Sequence, residues 1–140
     1  MKTVYTAEAL STGGGRNGHT QTADGTISLD LATPKEMGGT GDGANPEQLF
    51  AAGYAACFHS ALQGVARQAK KDLGESSVGA RVGIGPNDDG GYSLEVTLEV
   101  VIPDLPRDEA QDLAEKAHQV CPYSNATRGN IDVTVNVVQD

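Results

Sequence analysis

Tryptophan is absent, and two phenylalanines and four tyrosines bring the aromatic share to only 4% of the 140 residues. An interior of large flat rings is excluded, so the core has to come from alanine, valine, leucine and isoleucine. Positive charge is also scarce: ten Lys and Arg stand against nineteen Asp and Glu, for a net charge of −9. Such a chain is repelled by phosphate backbones and anionic lipid, so neither nucleic acid nor a membrane surface is expected as a partner. The longest nearly apolar run, Leu49 to Phe58, is ten residues, whereas a spanning helix needs about twenty. The opening MKTVYTAEAL has no apolar stretch of the signal-peptide kind, and a soluble cytoplasmic protein is the expectation. Two cysteines are too few for a secreted disulfide scaffold. One domain over residues 1–140 fits the length.

Glycine, by contrast, is abundant, with 18 residues. Thr3–Leu10 and Thr26–Leu31 read as short strands, with Gly13-Gly14-Gly15 and Asp24-Gly25 as turns. From Ala32 to Ala44 the chain is glycine-rich and unpatterned and is expected to be a mobile loop, a hinge or a lid. Asn45-Pro46 then opens a long helix: Asn45 can cap, Pro46 suits the first position, and Gln48 can close a capping box. The apolar stripe through Leu49/Phe50, Gly53/Tyr54, Cys57/Phe58, Ala61/Leu62 and Val65 marks this helix as central and buried, with Gly74 as its stop. Val78–Ile84 and Tyr92–Ile102 alternate around the turn residues 86–91, as in an antiparallel hairpin. A second helix follows Pro106 and ends at Pro122, and Ile131–Val137 closes the chain as a strand. The expected order is β-β-α-β-β-α-β, built from hairpins rather than βαβ crossovers, and the fold class is α+β.

Chemistry concentrates on Cys57 and Cys121, 64 positions apart, one inside the first helix and one at the exit of the second. The residues alone leave four readings open: two buried small hydrophobes, a metal site with His118, a static disulfide, or a redox-active pair. A Cys57 that attacks peroxide has to be a thiolate, yet apolar surroundings raise a thiol pKa, so a cation is needed. Cys57 lies about 16 Å inside its helix, beyond the reach of the helix N-terminus. Arg16, in the flexible Gly14-Gly15-Arg16-Asn17-Gly18 turn, stands out among Arg67, Arg81, Arg107 and Arg128. Its planar fork can hold a carboxylate while facing a sulfur or peroxide oxygen, and Glu47 in NPEQ is the carboxylate at hand. Glu47 equally suits a helix N-terminus for its charge alone. Ten residues, about 15 Å along one helix, keep Glu47 from touching Cys57 directly, so Arg16 would bridge the span or the carboxylate would come from a second subunit. The loop Gly38–Gly43 lacks the ending of a phosphate-binding loop, and no serine near His19, His59 or His118 sits in a nucleophile elbow.

Three stretches together carry a resemblance: GGR-x-G at Gly14–Gly18, NPEQLFAAGYAACF at Asn45–Phe58 and CPYSNATRGNIDV at Cys121–Val133. In order and content they resemble the organic hydroperoxide resistance proteins, within the larger group that includes the osmotically inducible protein C. The likeness covers essentially the whole chain, and each long motif holds one of the two cysteines. It implies an α+β fold of antiparallel strands around a long central helix, assembled as an intertwined homodimer. It further implies a peroxidase acting on alkyl and fatty-acid hydroperoxides without a cofactor and recycled by dihydrolipoyl groups of a lipoylated protein. On this resemblance Cys57 is the peroxidatic cysteine, Cys121 the resolving one, Arg16 the activating arginine and Glu47 the carboxylate that orients it. The peroxiredoxin pattern P-x-x-x-[TS]-x-x-C is missing before Cys57. Phe50, Tyr54, Phe58 and Met37 are the apolar groups expected around an alkyl chain, although a core role accounts for each more simply. The competing reading is a redox-sensing or ligand-binding protein with a cysteine switch.

Overall fold

The structure is a computed structural model that describes residues 1–139. Its backbone divides into two compact units, Met1–Leu49 and a second that begins at Phe50.

The first unit carries three short strands, β1 (Ala9–Thr12), β2 (His19–Thr22) and β3 (Ser28–Asp30), paired antiparallel in that order. The strand expected over 3–10 thus begins later, and β2 was not anticipated. Every residue of β1 is exposed and β2 has no buried residue, so neither strand shows the alternation that a buried face imposes. The β1–β2 turn contains a single 3₁₀ turn, Gly15–Asn17. Gly15 has φ +65°, and a Cβ on Gly18 would lie 2.1 Å from the Thr12 carbonyl oxygen, so the turn requires glycine at both places. The loop at 32–44 holds another 3₁₀ turn, Lys35–Met37, and is stitched at its base by Ala32 N–H to Ala44 O (2.9 Å) and Ala44 N–H to Asp30 O (3.1 Å).

Helix α1 (Pro46–Gln68) begins in the first unit and runs on into the second, which continues as β4 (Ser77–Pro86), β5 (Tyr92–Val101), α2 (Arg107–Val120), α3 (Pro122–Thr127) and β6 (Val133–Val138). The capping box forms as read: Asn45 Oδ1 accepts the Gln48 N–H at 2.8 Å and Gln48 Oε1 accepts the Asn45 N–H at 3.0 Å. At its other end α1 stops six residues before Gly74. Lys70 takes φ +57°, Lys71 N–H bonds Ala66 O, and Lys70 N–H bonds Arg67 O. This is a Schellman ending with lysine in the place that usually takes glycine.

β4 and β5 form the expected hairpin, with Val82 opposite Val96, Ala80 opposite Leu98 and Val78 opposite Val100. The expected hairpin connection to the last strand does not form. β6 pairs with β5 in parallel, Val96 to Val133 through Val101 to Val138, so β5–α2–α3–β6 is a crossover and not a further hairpin. The helical connection carries the chain back to the end where β5 began, which only a parallel neighbour can use. α3 is also additional, because Pro122 ends α2 and at once serves as a helix-opening proline. The core of the second unit joins Tyr54, Phe58, Leu62, Val65 and Ala66 of α1 to Val96, Leu98 and Val100 of β5 and to Ala110, Leu113, Ala114 and Ala117 of α2. Small alanines on α2 let it approach closely, as a chain with few rings demands. No helix among the described residues is long and apolar enough to cross a membrane.

Candidate functional site

In the first unit, the glycine turn presents Arg16 to Glu47, the second residue of α1. The guanidinium donates two hydrogen bonds to the carboxylate, Nη1 to Oε2 at 3.0 Å and Nη2 to Oε1 at 2.5 Å. This is the bidentate geometry that distinguishes arginine from lysine. The Glu47 side chain is 13% exposed and that of Arg16 36%. The Arg16 hydrogen bonds hold the Glu47 carboxyl below its ordinary range, overcoming the opposing effect of burial. The turn is itself anchored, since Asn17 Oδ1 accepts the Thr33 N–H at 3.0 Å and Gly18 O accepts the Leu31 N–H at 2.8 Å. Met37 lies exposed at the end of the second 3₁₀ turn.

In the second unit the two cysteines come together. Cys57 is half-buried on α1, Cys121 is fully buried at the α2–α3 junction, and their sulfurs are 3.6 Å apart with both thiols free. A disulfide bond is about 2.05 Å long, so closing it needs roughly 1.5 Å of approach. Burial pushes the Cys57 thiol up, the neighbouring Cys121 adds to that rise, and the Tyr123 backbone N–H, which hydrogen-bonds the sulfur, pulls the other way. Beside Cys57 a trench of about 440 Å³ runs between α1 and the α2–α3 junction, lined by Ser60, Ala61, Gly64, Gln68, Val120 and Pro122 among others.

Phe50, Tyr54 and Tyr123 form one aromatic cluster, with ring centroids 5.5 to 6.0 Å apart. Tyr123 lies over Gly53, where a Cβ would come within 2.8 Å of its hydroxyl. Phe58 is fully buried in the core, its ring 6.4 Å from that of His118. Sequence reasoning missed Tyr123, Ser124 and Thr127. Ser124 Oγ lies 2.9 Å from Tyr54 Oη and 2.7 Å from His118 Nδ1, and Tyr54 Oη also reaches Thr127 Oγ1 at 3.2 Å. A proline directly after Cys121 was the available sign that a helix restarts there. Burial, and then the positive charge of Arg128, lower the His118 pKa. The other histidines take local polar partners: His59 Nε2 is 2.9 Å from Ser76 Oγ, and His19 lies between Ser28 and Asp30 on the exposed β2–β3 face. No group of three or more His, Cys, Asp or Glu able to hold a metal occurs among the described residues.

The chain is similar to known proteins along most of its length. The family described as OsmC-like protein matches residues 39–136. An organic hydroperoxide resistance protein of Xanthomonas axonopodis pv. citri is 54% identical over 138 residues, covering 97% of this chain and 96% of that one. The crystal structure of an organic hydroperoxide resistance protein from Elizabethkingia anophelis superimposes with a TM-score of 0.95 at 55% identity, over all of both chains. A putative organic hydroperoxide resistance protein from Vibrio cholerae, with captopril bound in one of its active sites, gives 0.92 at 55% identity over 98% of this chain and 94% of that one.

Proposed function

Because the chain belongs to the organic hydroperoxide resistance proteins of the OsmC-like family, we propose that its role in organic hydroperoxide resistance is that of a thiol-dependent peroxidase. The observation that carries the reading is the 3.6 Å approach of two free thiols that are 64 residues apart in sequence. The Cys57 thiolate attacks the distal oxygen of R–OOH, R–OH leaves, and Cys57 becomes a sulfenic acid. Cys121 condenses with it, forming the Cys57–Cys121 disulfide and releasing water, and an external dithiol returns both to thiols. Arg16, oriented by Glu47, stabilises the thiolate and positions the peroxide; the bidentate pair supports this role because it leaves the guanidinium charge held in one geometry.

Met37 and Phe50 supply the apolar surroundings of the alkyl group, at about 25 cal/mol per Å² of apolar surface removed from water, while Tyr54 and Phe58 are fully buried in the core that Phe50 packs against. The reductant is a dihydrolipoyl group on a partner protein, the compartment is the cytoplasm, and residues 1–140 act as one domain in an intertwined homodimer. The family match across residues 39–136, which straddles the division at Leu49, supports a single working domain.

Mass spectrometry after one equivalent of an alkyl hydroperoxide tests the chemistry. Loss of two hydrogens, mapped to a Cys57–Cys121 linkage, is expected, and with excess dithiol many equivalents of peroxide are consumed per chain. Consumption that halts near one equivalent would instead make the protein a redox sensor.

A further inference from the structure

Tyr54 and Ser124 are among the largest fully buried side chains, and both are polar. Their hydroxyls meet at 2.9 Å, Ser124 Oγ continues to His118 Nδ1 at 2.7 Å, and Thr127 Oγ1 closes the group by donating to the Ser124 carbonyl at 3.2 Å. Satisfying buried hydroxyls needs only one such contact each. The placement of the chain is more specific than that requirement. Tyr54 sits three residues before Cys57 on α1, His118 three before Cys121 on α2, and Ser124 three after Cys121 on α3. The chain therefore ties the helical turn below one sulfur to both segments that flank the other.

We infer that this buried hydrogen-bond chain is a clamp that sets how readily Cys57 and Cys121 join, with Ser124 and His118 as its positioning residues. The sulfurs at 3.6 Å need a small further approach, and a junction held on both sides of Cys121 confines its search to that approach. The main-chain bonds at the α2–α3 junction, Cys121 N–H to Ala117 O at 2.8 Å and Asn125 N–H to Cys121 O at 3.0 Å, fix its local backbone but do not tie it to α1. Its break is a proline, and α3 is only six residues long. Arg128 adds an outer brace by donating to the His118 carbonyl and, at 2.8 Å, to Asn125 Oδ1.

In the peroxidase reading the clamp acts on the step Cys57–SOH + Cys121–SH → Cys57–S–S–Cys121 + H₂O, and to that extent rests on that reading. The same property is measurable with no peroxide, as the equilibrium of the two thiols with oxidised glutathione, which yields the protein disulfide and two reduced glutathiones. The parent, Ser124→Ala, His118→Leu and His118→Asn, each first shown to be folded by thermal unfolding, are equilibrated with glutathione of varied redox poise. Ser124→Ala and His118→Leu are expected to lower the effective concentration of Cys121 towards Cys57 about tenfold. His118→Asn, whose side-chain amide can stand where Nδ1 stood, retains it within about threefold. An unchanged glutathione equilibrium in Ser124→Ala, or equal losses in the leucine and asparagine variants, overturns the clamp. If Ser124→Ala does not fold, the His118 pair decides alone. A parent that consumes no peroxide sinks the peroxidase reading and leaves the glutathione comparison as it stands.

Discussion

At the scale of the residue, the central problem is a half-buried thiol that has to ionise. Burial raises the Cys57 pKa above its ordinary value of about 9.0, and the Tyr123 N–H offsets only part of that rise. The thiolate fraction therefore grows with pH across the neutral and alkaline range, and any cation that acts on it moves the midpoint down. Removing the proposed cation in Arg16→Ala is expected to move the pH midpoint of Cys57 alkylation by iodoacetamide upward. The second-order rate with an alkyl hydroperoxide should also fall at neutral pH, by about two orders of magnitude if positioning is lost together with charge. A midpoint and rate equal to the parent's would reduce Arg16 to the structural partner of Glu47. Cys121→Ser separates the two sulfurs in the same assay: the first oxidation persists, and Cys57 proceeds to sulfinic acid because the thiol 3.6 Å away is gone.

At the scale of the element, Gly53 shows how α1 trades its own stability for a neighbour's room. A glycine inside a helix costs about 1 kcal/mol relative to alanine, yet a Cβ here would meet the Tyr123 hydroxyl at 2.8 Å and its ring at 3.3 Å. Tyr123 is 38% exposed, so its ring can swing outward at little cost. Gly53→Ala is therefore expected to leave thermal stability unchanged or raise it by up to about 1 kcal/mol, while opening the Phe50–Tyr54–Tyr123 cluster. If that cluster holds the alkyl group, KM rises for a bulky hydroperoxide and much less for a small one. An unchanged KM for both would remove the cluster from substrate binding. Elements whose cause is local were legible in the sequence: the Asn45/Gln48 box, the bounds of α2 between two prolines, and the alternating hairpin. Elements whose cause is distant were not. Nothing in the alternation of Val133–Val138 tells whether its partner runs parallel, and Lys70 gives no composition cue that it will take a left-handed turn. The motifs named Cys57, Cys121, Arg16 and Glu47, whereas Ser124 and Thr127 meet Tyr54 across 70 or more residues with no spacing to reveal it.

At the scale of the whole molecule, the shortage of aromatic residues returns as a shortage of buried surface. In the first unit only Ala32 and Asn45 are buried, whereas Val4 is 94% exposed, Tyr5 79%, Leu10 69% and Ile27 44%. A segment of that size gains too little from its own interior to offset chain entropy, and large apolar side chains left in water in such number mark an interface. A second copy of the chain is the occupant proposed above. Each subunit would then place these side chains against the other, which couples folding to assembly. Sedimentation at micromolar concentration should give twice the 14.5 kDa chain mass, and the thermal midpoint should rise with protein concentration. Leu10→Asp, which places a charge on the exposed strand β1 without touching the described core of the second unit, is expected to shift the species towards monomer and to lower the midpoint. Because the chain already carries a net charge of −9, two copies repel one another, and added salt should strengthen the dimer by screening that repulsion. A sharply folded monomer whose midpoint is independent of concentration and salt would show that the exposed apolar residues have no partner of this kind.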